Sequence, residues 1–402
     1  MRLSVISTLL TGLLLFPSAN SIAALLETGT EKAQSVQGDK SIAVESQTAS
    51  SVSKVAEIKI LIQAAIKDSP QPFSGSVILL EQGKSQFELQ KGEGISQDSR
   101  FVMASLSKQI TATLILQALD AGKLDLNQTL NHYLFGDAKG DNKALKGTVA
   151  GTNSSANALN PSRYDERITL HQLLTHTSGV DKLGKANRFE PGSQFEYSNF
   201  GYSLLGQVLE KVNHQSFAEQ VAQFATRYQF NGLSAELGSI EAIRAKVPSL
   251  AIGLQESEVI APADLVLDEA LLPAGGLIAS APAYAAFQYL LHSGKLMSAE
   301  SYQRMTTAYT EIQFLWPNMR YGYGYGVRIN KDDGLVEYSH TGYLSGYMSM
   351  TLHYPEFNLD LVMLENLSLN LNDRTRVFEL HNQIRQIIRS QLLLAKASNV
   401  KP

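Results

Sequence analysis

The chain has 402 residues, a formal net charge of −4, 44% hydrophobic residues and no cysteine. That apolar share supports a real core and excludes whole-chain disorder, and the mild acidity leaves no basic footprint, so no nucleic-acid partner is expected. Zero Cys excludes disulfides, thiolate metal sites, iron–sulfur clusters, a cysteine nucleophile and an N-terminal lipidated cysteine.

The first 24 residues have the layout of a secretory signal: Arg2, an apolar run from Leu9 to Phe16, and the small-x-small step Ser21-Ile22-Ala23. Spanning a bilayer takes about 20 apolar residues, far more than this run offers. Cleavage is expected near Ala23 or Ala24, giving a periplasmic or secreted protein with no membrane span in its mature form. Residues 25–53 are rich in Ser, Gln, Thr, Ala and Gly and predict a disordered polar leader, and 397–402 a similar tail. The folded part is expected over 54–396, as one large domain or two intimate lobes.

Val55 to Ile66 carries apolar residues at helical spacing and stops at Asp68-Ser69-Pro70. Val77 to Leu80, Gly83-Lys84 and Phe87 to Leu89 predict a hairpin. Ser105 to Ala121 predicts a helix capped by Gly122. Further helices are expected over Leu170–Leu174, Gly201–Val212, Phe217–Tyr228 and Tyr284–Leu291, the last stopped by Gly294. Beyond residue 320 the period becomes two, predicting antiparallel strands over Tyr323–Ile329, Leu335–Tyr338, Tyr347–His353 and Leu359–Leu364. A long amphipathic helix over Val377–Leu394 follows. Strands at both ends with helices between them predict a mixed α+β fold. Its antiparallel sheet is built from N- and C-terminal strands and flanked by helices, with an inserted, mostly helical lobe over about 105–300. A site is expected in the cleft between the two. The Gly-, Asn- and Ser-rich stretch 136–161 is a surface insertion or a lid.

Three short motifs could carry chemistry. Ser105-Leu106-Ser107-Lys108 is an S-x-x-K, and on a helix residues three apart share a face, so the Lys108 amine can reach the Ser105 hydroxyl. Serine becomes a nucleophile only when a neighbouring base takes its proton, and lysine can serve only if burial or like charge lowers its pKa. The same pattern occurs at Ser51–Lys54 and Ser398–Lys401, in leader and tail, and Ser105 could equally be an ordinary N-cap beside a solvated lysine. Tyr197-Ser198-Asn199 sits on a loop entering a helix. A phenol there can shuttle protons and an amide can bind a substrate amide, or the pair is a structural tyrosine and an Asn cap. His340-Thr341-Gly342 falls between two predicted strands, where glycine permits close approach and the following backbone N–H can meet an oxyanion. A looser match, His292-Ser293-Gly294, ends a helix. The eight histidines show no metal-ligand spacing, so no metal and no cofactor are expected.

In this order and context the motifs resemble those of the serine β-lactamase/penicillin-binding-protein superfamily, in the class C β-lactamase and D-alanyl-D-alanine carboxypeptidase branch, where the second box is Y-x-N. His340-Thr341-Gly342 resembles the H-T-G variant of the third box, where classical lactamases of the branch more often have lysine. Phe73-Ser74-Gly75-Ser76-Val77 resembles the first core strand. Leu173-Leu174-Thr175-His176-Thr177-Ser178-Gly179, Pro191-Gly192, Gly201-Tyr202, Pro273-Ala274-Gly275-Gly276-Leu277 and Tyr323-Gly324-Tyr325-Gly326 extend the likeness over about 70–395. There is no E-x-x-x-N and no S-D-N.

The resemblance implies a β-lactamase/transpeptidase-like fold and two-step acyl transfer. Ser105 would attack, and Lys108 and Tyr197 would share the base role. The backbone N–H groups of Ser105 and Tyr343 would bind the oxyanion, and Asn199 would hold the substrate amide. His340 would orient Tyr197 or a substrate carboxylate, with Thr341 and Gly342 lining the site. The partner would be a small molecule or peptide, cell-wall peptide among the candidates, in an oligomeric state the sequence leaves open. The reading that fits best is an exported D-Ala-D-Ala carboxypeptidase- or esterase-like hydrolase of a D-alanyl peptide, D-amino-acid amide or ester. The alternatives are a class C-type β-lactamase, a non-catalytic cell-wall-peptide binder on the same fold, and a scaffold acting through the leader and the 136–161 stretch.

Overall fold

The computed structural model describes residues 42–136, 162–314 and 319–399. The signal-like segment, the first part of the polar leader, nearly all of the 136–161 insertion and the last three residues lie outside these. The chain divides after Ala49 into two units, and the first is described only from Ile42, where helix α1 (Ile42–Asp68) begins. This helix starts earlier than Val55, inside the stretch expected to be a disordered leader. The Ala-, Glu- and Gln-containing segment ahead of Val55 holds no Gly or Pro to stop it.

In the second unit, strands β1 (Gly75–Glu81) and β2 (Lys84–Lys91) form the expected hairpin. Helix α2 is Ser107–Asp120, α3 is Asn199–Asn213 and α4 is Ala281–His292. Then come β3 (Thr310–Phe314), β4 (Met319–Tyr323), β5 (Arg328–Asn330), β6 (Glu337–Leu344), β7 (Tyr347–Tyr354), β8 (Leu359–Glu365) and helix α5 (Glu379–Asn399). The eight strands make one sheet in the order β3-β4-β5-β6-β7-β8-β1-β2. The first strand of the fold therefore pairs with the last, Gly75 opposite Glu365 and Leu79 opposite Leu361.

Alternation explains how one sheet serves two cores. Val77 and Leu79 of β1 join Ile58 and Ile62 of α1 and Ile384 and Ile388 of α5 on one face. Ile78 and Leu80 point the other way, into a larger cluster with Ile110 and Ile115 of α2, Leu204 and Val208 of α3 and Phe287 of α4. The mixed fold expected from the sequence is the one observed, and the helical block also carries short ladders such as Arg100–Val102 against Leu277–Ser280.

Three boundaries differ from expectation, each for a local reason. Tyr323–Ile329 is not one strand: β4 ends at Tyr323 and β5 starts at Arg328. Gly326 lies between them at φ +70°, where an added Cβ would meet the Lys108 carbonyl oxygen at 2.9 Å. The break lets this turn press against α2. Strand β6 begins at Glu337 and runs to Leu344, so His340-Thr341-Gly342 lies within a strand, not between two. Its pairing with β7 is continuous, Thr341 opposite Met350 and Gly342 opposite Ser349. The last helix is preceded by a short turn, Arg374–Val377, and restarts at Glu379.

Strand β6 is tied to α5 at its first residue. Glu337, fully buried, accepts from Arg385 Nε at 2.8 Å, Arg389 Nη1 at 3.2 Å and the Tyr354 hydroxyl at 2.9 Å. A buried carboxylate is tolerated when its lone pairs are met in this way. No described helix is long and apolar enough to cross a membrane.

Candidate active site

Ser105 does not cap α2. It sits in a 3₁₀ turn, Ala104–Leu106, immediately before the helix, and the residue at the N-cap is Leu106, which makes no side-chain cap. Ala104 has φ +49°, a left-handed conformation that a non-glycine residue holds only when its surroundings impose it. Gly342 shows what imposes it. A Cβ there would meet the Ala104 Cβ and the Met103 carbonyl at 2.8 Å, so bare backbone on β6 lets the turn seat against the strand. The Ser349 hydroxyl of β7 donates to the Met103 carbonyl at 2.8 Å and fastens the same turn.

Lys108 is not solvated: its exposure is 0%. Its Nζ lies 3.3 Å from Ser105 Oγ, 2.7 Å from Asn199 Oδ1 and 2.6 Å from the Ala274 carbonyl. Burial, then the nearby Arg328 charge, hold its pKa well below the usual lysine range. A neutral amine has two N–H bonds and one lone pair. Asn199 and Ala274 are pure acceptors at the two short distances and take both hydrogens. The lone pair is left facing the Ser105 hydroxyl, the geometry a general base requires.

The segment Leu272–Gly276 delivers the Ala274 carbonyl. It is fastened to α2 by the Thr111 hydroxyl donating to the Pro273 carbonyl at 2.7 Å and by the Leu277 N–H donating to Ser107 Oγ at 3.1 Å. Pro273 itself fits because Gly206 on α3 leaves room: a Cβ at 206 would lie 2.2 Å from the Pro273 ring.

Tyr197 and Asn199 enter from the loop ahead of α3. The cap of this helix is Ser198, whose hydroxyl accepts from the Gly201 N–H at 3.0 Å, so Asn199 is free of capping duty and turns its amide oxygen to Lys108. The Tyr197 ring lies 4.8 Å from Lys108 Nζ and 6.2 Å from the His340 ring. Burial pushes its phenol up to about 12, opposed by the Ser105 hydroxyl and the Arg328 charge. The phenolic oxygen is buried and has no hydrogen bond of ordinary geometry.

On β6, His340 is fully buried and Thr341 accepts from Arg328 Nη1 at 2.8 Å. The Tyr343 side chain leaves the site, donating to the Leu369 carbonyl at 2.7 Å, so only its backbone could serve there. All three motifs therefore meet at one place. Three further side chains that the motifs did not single out belong to it. His176 and Tyr323 lie beneath Tyr197, with ring centroids 4.3 and 6.4 Å from its own, and Arg328 lies beside Thr341. His176 and Tyr323 fell inside segments quoted for the family likeness, which was the available signal. Arg328 carried none, being one polar residue at the edge of a predicted strand.

The looser motif, His292-Ser293-Gly294, ends α4 as expected, with Gly294 at φ +70°. Among the described residues, His292, His353 and Asp360 bring donor atoms within 4.8 Å of one another. The two rings stack face to face at 3.8 Å and 4°; His292 Nε2 donates to Gln288 Oε1 and its Nδ1 pairs with the Tyr302 hydroxyl, so both ring nitrogens are already engaged.

Comparison with known proteins establishes the family and the fold. The Beta-lactamase family profile matches residues 63–385, and the chain belongs to that family. "Protein flp" of Staphylococcus aureus (strain MW2) is 24% identical over 320 residues, 72% of this chain and 57% of that protein. The chain thus spans little more than half the length of that relative. "Penicillin-binding protein 4" of Amycolatopsis lactamdurans is 26% identical over 304 residues, 68% of this chain and 74% of the relative. Among solved structures, a D-amino acid amidase from Ochrobactrum anthropi SV3 superposes with a TM-score of 0.64 at 17% identity, covering 83% of this chain and 98% of the amidase.

Proposed function

We propose that this chain is an exported serine hydrolase that works by acyl transfer on a D-alanyl peptide, D-amino-acid amide or ester. The observation that carries the reading is the Lys108 amine, buried, lowered in pKa, and 3.3 Å from the Ser105 hydroxyl with its two other acceptors fixed. Lys108 takes the Ser105 proton as Oγ bonds to the substrate carbonyl carbon. Tyr197 passes a proton to the leaving nitrogen or oxygen as that bond breaks, and water then releases the acyl group from Ser105. The backbone N–H groups of Ser105 and Tyr343 receive the developing oxyanion, and Asn199 and Thr341 hold the substrate. The similarity to a penicillin-binding protein and to a D-amino acid amidase supports the substrate class. Export is supported by the layout of residues 1–24.

The test is labelling with a fluorescent penicillin and a fluorophosphonate, wild type beside Ser105→Ala. Wild type is expected to label and the variant not to; equal labelling contradicts the assignment. A chromogenic cephalosporin, a nitrophenyl ester, a D-Ala-D-Ala peptide and a D-amino-acid anilide then rank the substrate by kcat/KM. The peptide, anilide or ester is expected to lead; the cephalosporin in first place points to a β-lactamase instead.

A further inference from the structure

Beneath Tyr197, four hydrogen bonds run from the loop that carries Tyr197 to the strand that carries His340. The Ser198 N–H lies 3.1 Å from His176 Nδ1. His176 Nε2 lies 3.2 Å from the Tyr323 hydroxyl, and that hydroxyl lies 3.0 Å from His340 Nε2. His340 Nδ1 lies 2.7 Å from the Thr341 carbonyl oxygen.

With both imidazoles neutral, the two ends of this chain fix which ring nitrogens carry a hydrogen. A backbone N–H can only donate, so His176 Nδ1 is bare and its Nε2 carries the hydrogen. A carbonyl can only accept, so His340 Nδ1 carries a hydrogen, and in the neutral ring its Nε2 is bare. Tyr323 then accepts from His176 and is placed to donate to His340, with the Tyr202 hydroxyl as a further partner of its oxygen. All four bonds are satisfied in one direction with both imidazoles uncharged. The three side chains are buried, so a broken link would leave an unmet polar atom away from water.

The surroundings favour the same state. Lys108 from α2 and Arg328 from β5 face the histidines, Tyr197 and Tyr202 face Tyr323, and His176 opposes protonation of His340. Burial and these cations hold both histidines well below the ordinary imidazole range.

We propose that His176, Tyr323 and His340 form a one-way positioning relay. It locks the Tyr197–Asn199 loop to β6 and so sets the Tyr197 phenol for proton transfer at Ser105. None of the three touches the reacting atoms; they act through Tyr197. The inference rests on the acyl-transfer reading above and extends it to two residues outside the three motifs.

Tyr323→Phe keeps the ring and deletes the central hydroxyl, so it is the direct test. In hydrolysis of a nitrophenyl ester, kcat is expected to fall about 10- to 100-fold with KM little changed, the order that small misplacement of a catalytic group produces. The acid limb of the kcat–pH profile is expected to move to higher pH. His340 Nε2, no longer met by the phenol, then takes a proton more readily. A role in stability alone would lower Tm and leave kcat of the folded enzyme and the profile unmoved, and that result overturns the relay.

If Tyr323→Phe does not fold, His340→Gln and His340→Leu replace it. The glutamine oxygen can still accept from Tyr323, so Gln is expected to retain about ten times the kcat of Leu, and equal losses overturn the relay. Ser105→Ala runs in parallel. Activity surviving in Ser105→Ala sinks the serine reading itself. A dead Ser105→Ala beside a wild-type-like Tyr323→Phe sinks only the relay.

Discussion

Strand β6 carries two charged neighbourhoods built on opposite principles. At its first residue, Glu337 is met by Arg385 at 2.8 Å, Arg389 at 3.2 Å and the Tyr354 hydroxyl at 2.9 Å, all of them buried. A few residues on, Thr341 accepts from Arg328, and Arg328 stands near enough to Lys108 to lower its pKa. In the first neighbourhood a carboxylate is met by two guanidinium groups of opposite sign, and the result is a strand fastened to a helix. In the second, burial first and then the Arg328 charge disfavour the ammonium, and the result is a lysine that gives up its proton easily. Burial is common to both neighbourhoods; what separates them is whether a partner of opposite sign meets the buried charge.

Replacing Lys108 by Met separates the two neighbourhoods most sharply. Acylation is expected to slow by about 10²–10⁴-fold, the usual contribution of a general base, while Tm holds or rises because a desolvated amine is removed. Burst kinetics with the nitrophenyl ester read the first quantity and thermal melting the second; an unchanged burst refutes the base role. Glu337→Gln should do the reverse. It strands Arg385 and Arg389 beside a neutral amide and is expected to cost about 3–5 kcal/mol in chemical denaturation, with near-normal acylation in the folded fraction. Lost acylation without lost stability would merge the two regions into one.

Gly342→Ala probes the seam between them. The new methyl meets the Ala104 Cβ and Met103 carbonyl at 2.8 Å and forces the Ser105 turn off β6. About 1–3 kcal/mol of stability is expected to go, with fluorophosphonate labelling slowed well beyond that of a control Ala substitution on the sheet rim. Normal labelling would mean the turn is not seated by the glycine.

The smallest effect is a pH slope. Lys108 is depressed in the folded state, so below the usual lysine pKa the unfolded chain binds the extra proton. Stability from this group is fully present above that ordinary value. It declines as pH falls through the window down to the lowered folded value, and is then flat. The stability advantage of Lys108→Met over wild type should therefore shrink as pH rises through that window. A constant difference contradicts the depressed pKa.

Much of this was legible in the residues. The shared sheet followed from alternation at both ends of the chain, and S-x-x-K, Y-x-N and H-T-G sit together as their order suggested. What was not legible depended on contacts between distant segments. Whether Lys108 was solvated or held beside Ser105 turned on Ala274 and Asn199, far away in sequence, whose oxygens its amine meets. Tyr323–Ile329 looked like one strand because period two ran through it. Gly326 broke it to let the turn approach α2, and no local pattern announces that approach. His340-Thr341-Gly342 looked like a junction because it fell between the predicted strands Leu335–Tyr338 and Tyr347–His353, yet cross-strand pairing with Ser349–Thr351 carries β6 straight through. His176, Tyr323 and Arg328 each belong to a different segment, and only the fold shows that they share one chamber.

The central claim is that Ser105, activated by Lys108, is the residue that takes the acyl group. Intact-protein mass spectrometry followed by peptide mapping after a brief exposure to fluorophosphonate tests it most directly. A single adduct on the peptide containing Ser105, formed far more slowly in Lys108→Met, is the predicted result. An adduct on any other side chain, or equal rates in the two proteins, contradicts the claim.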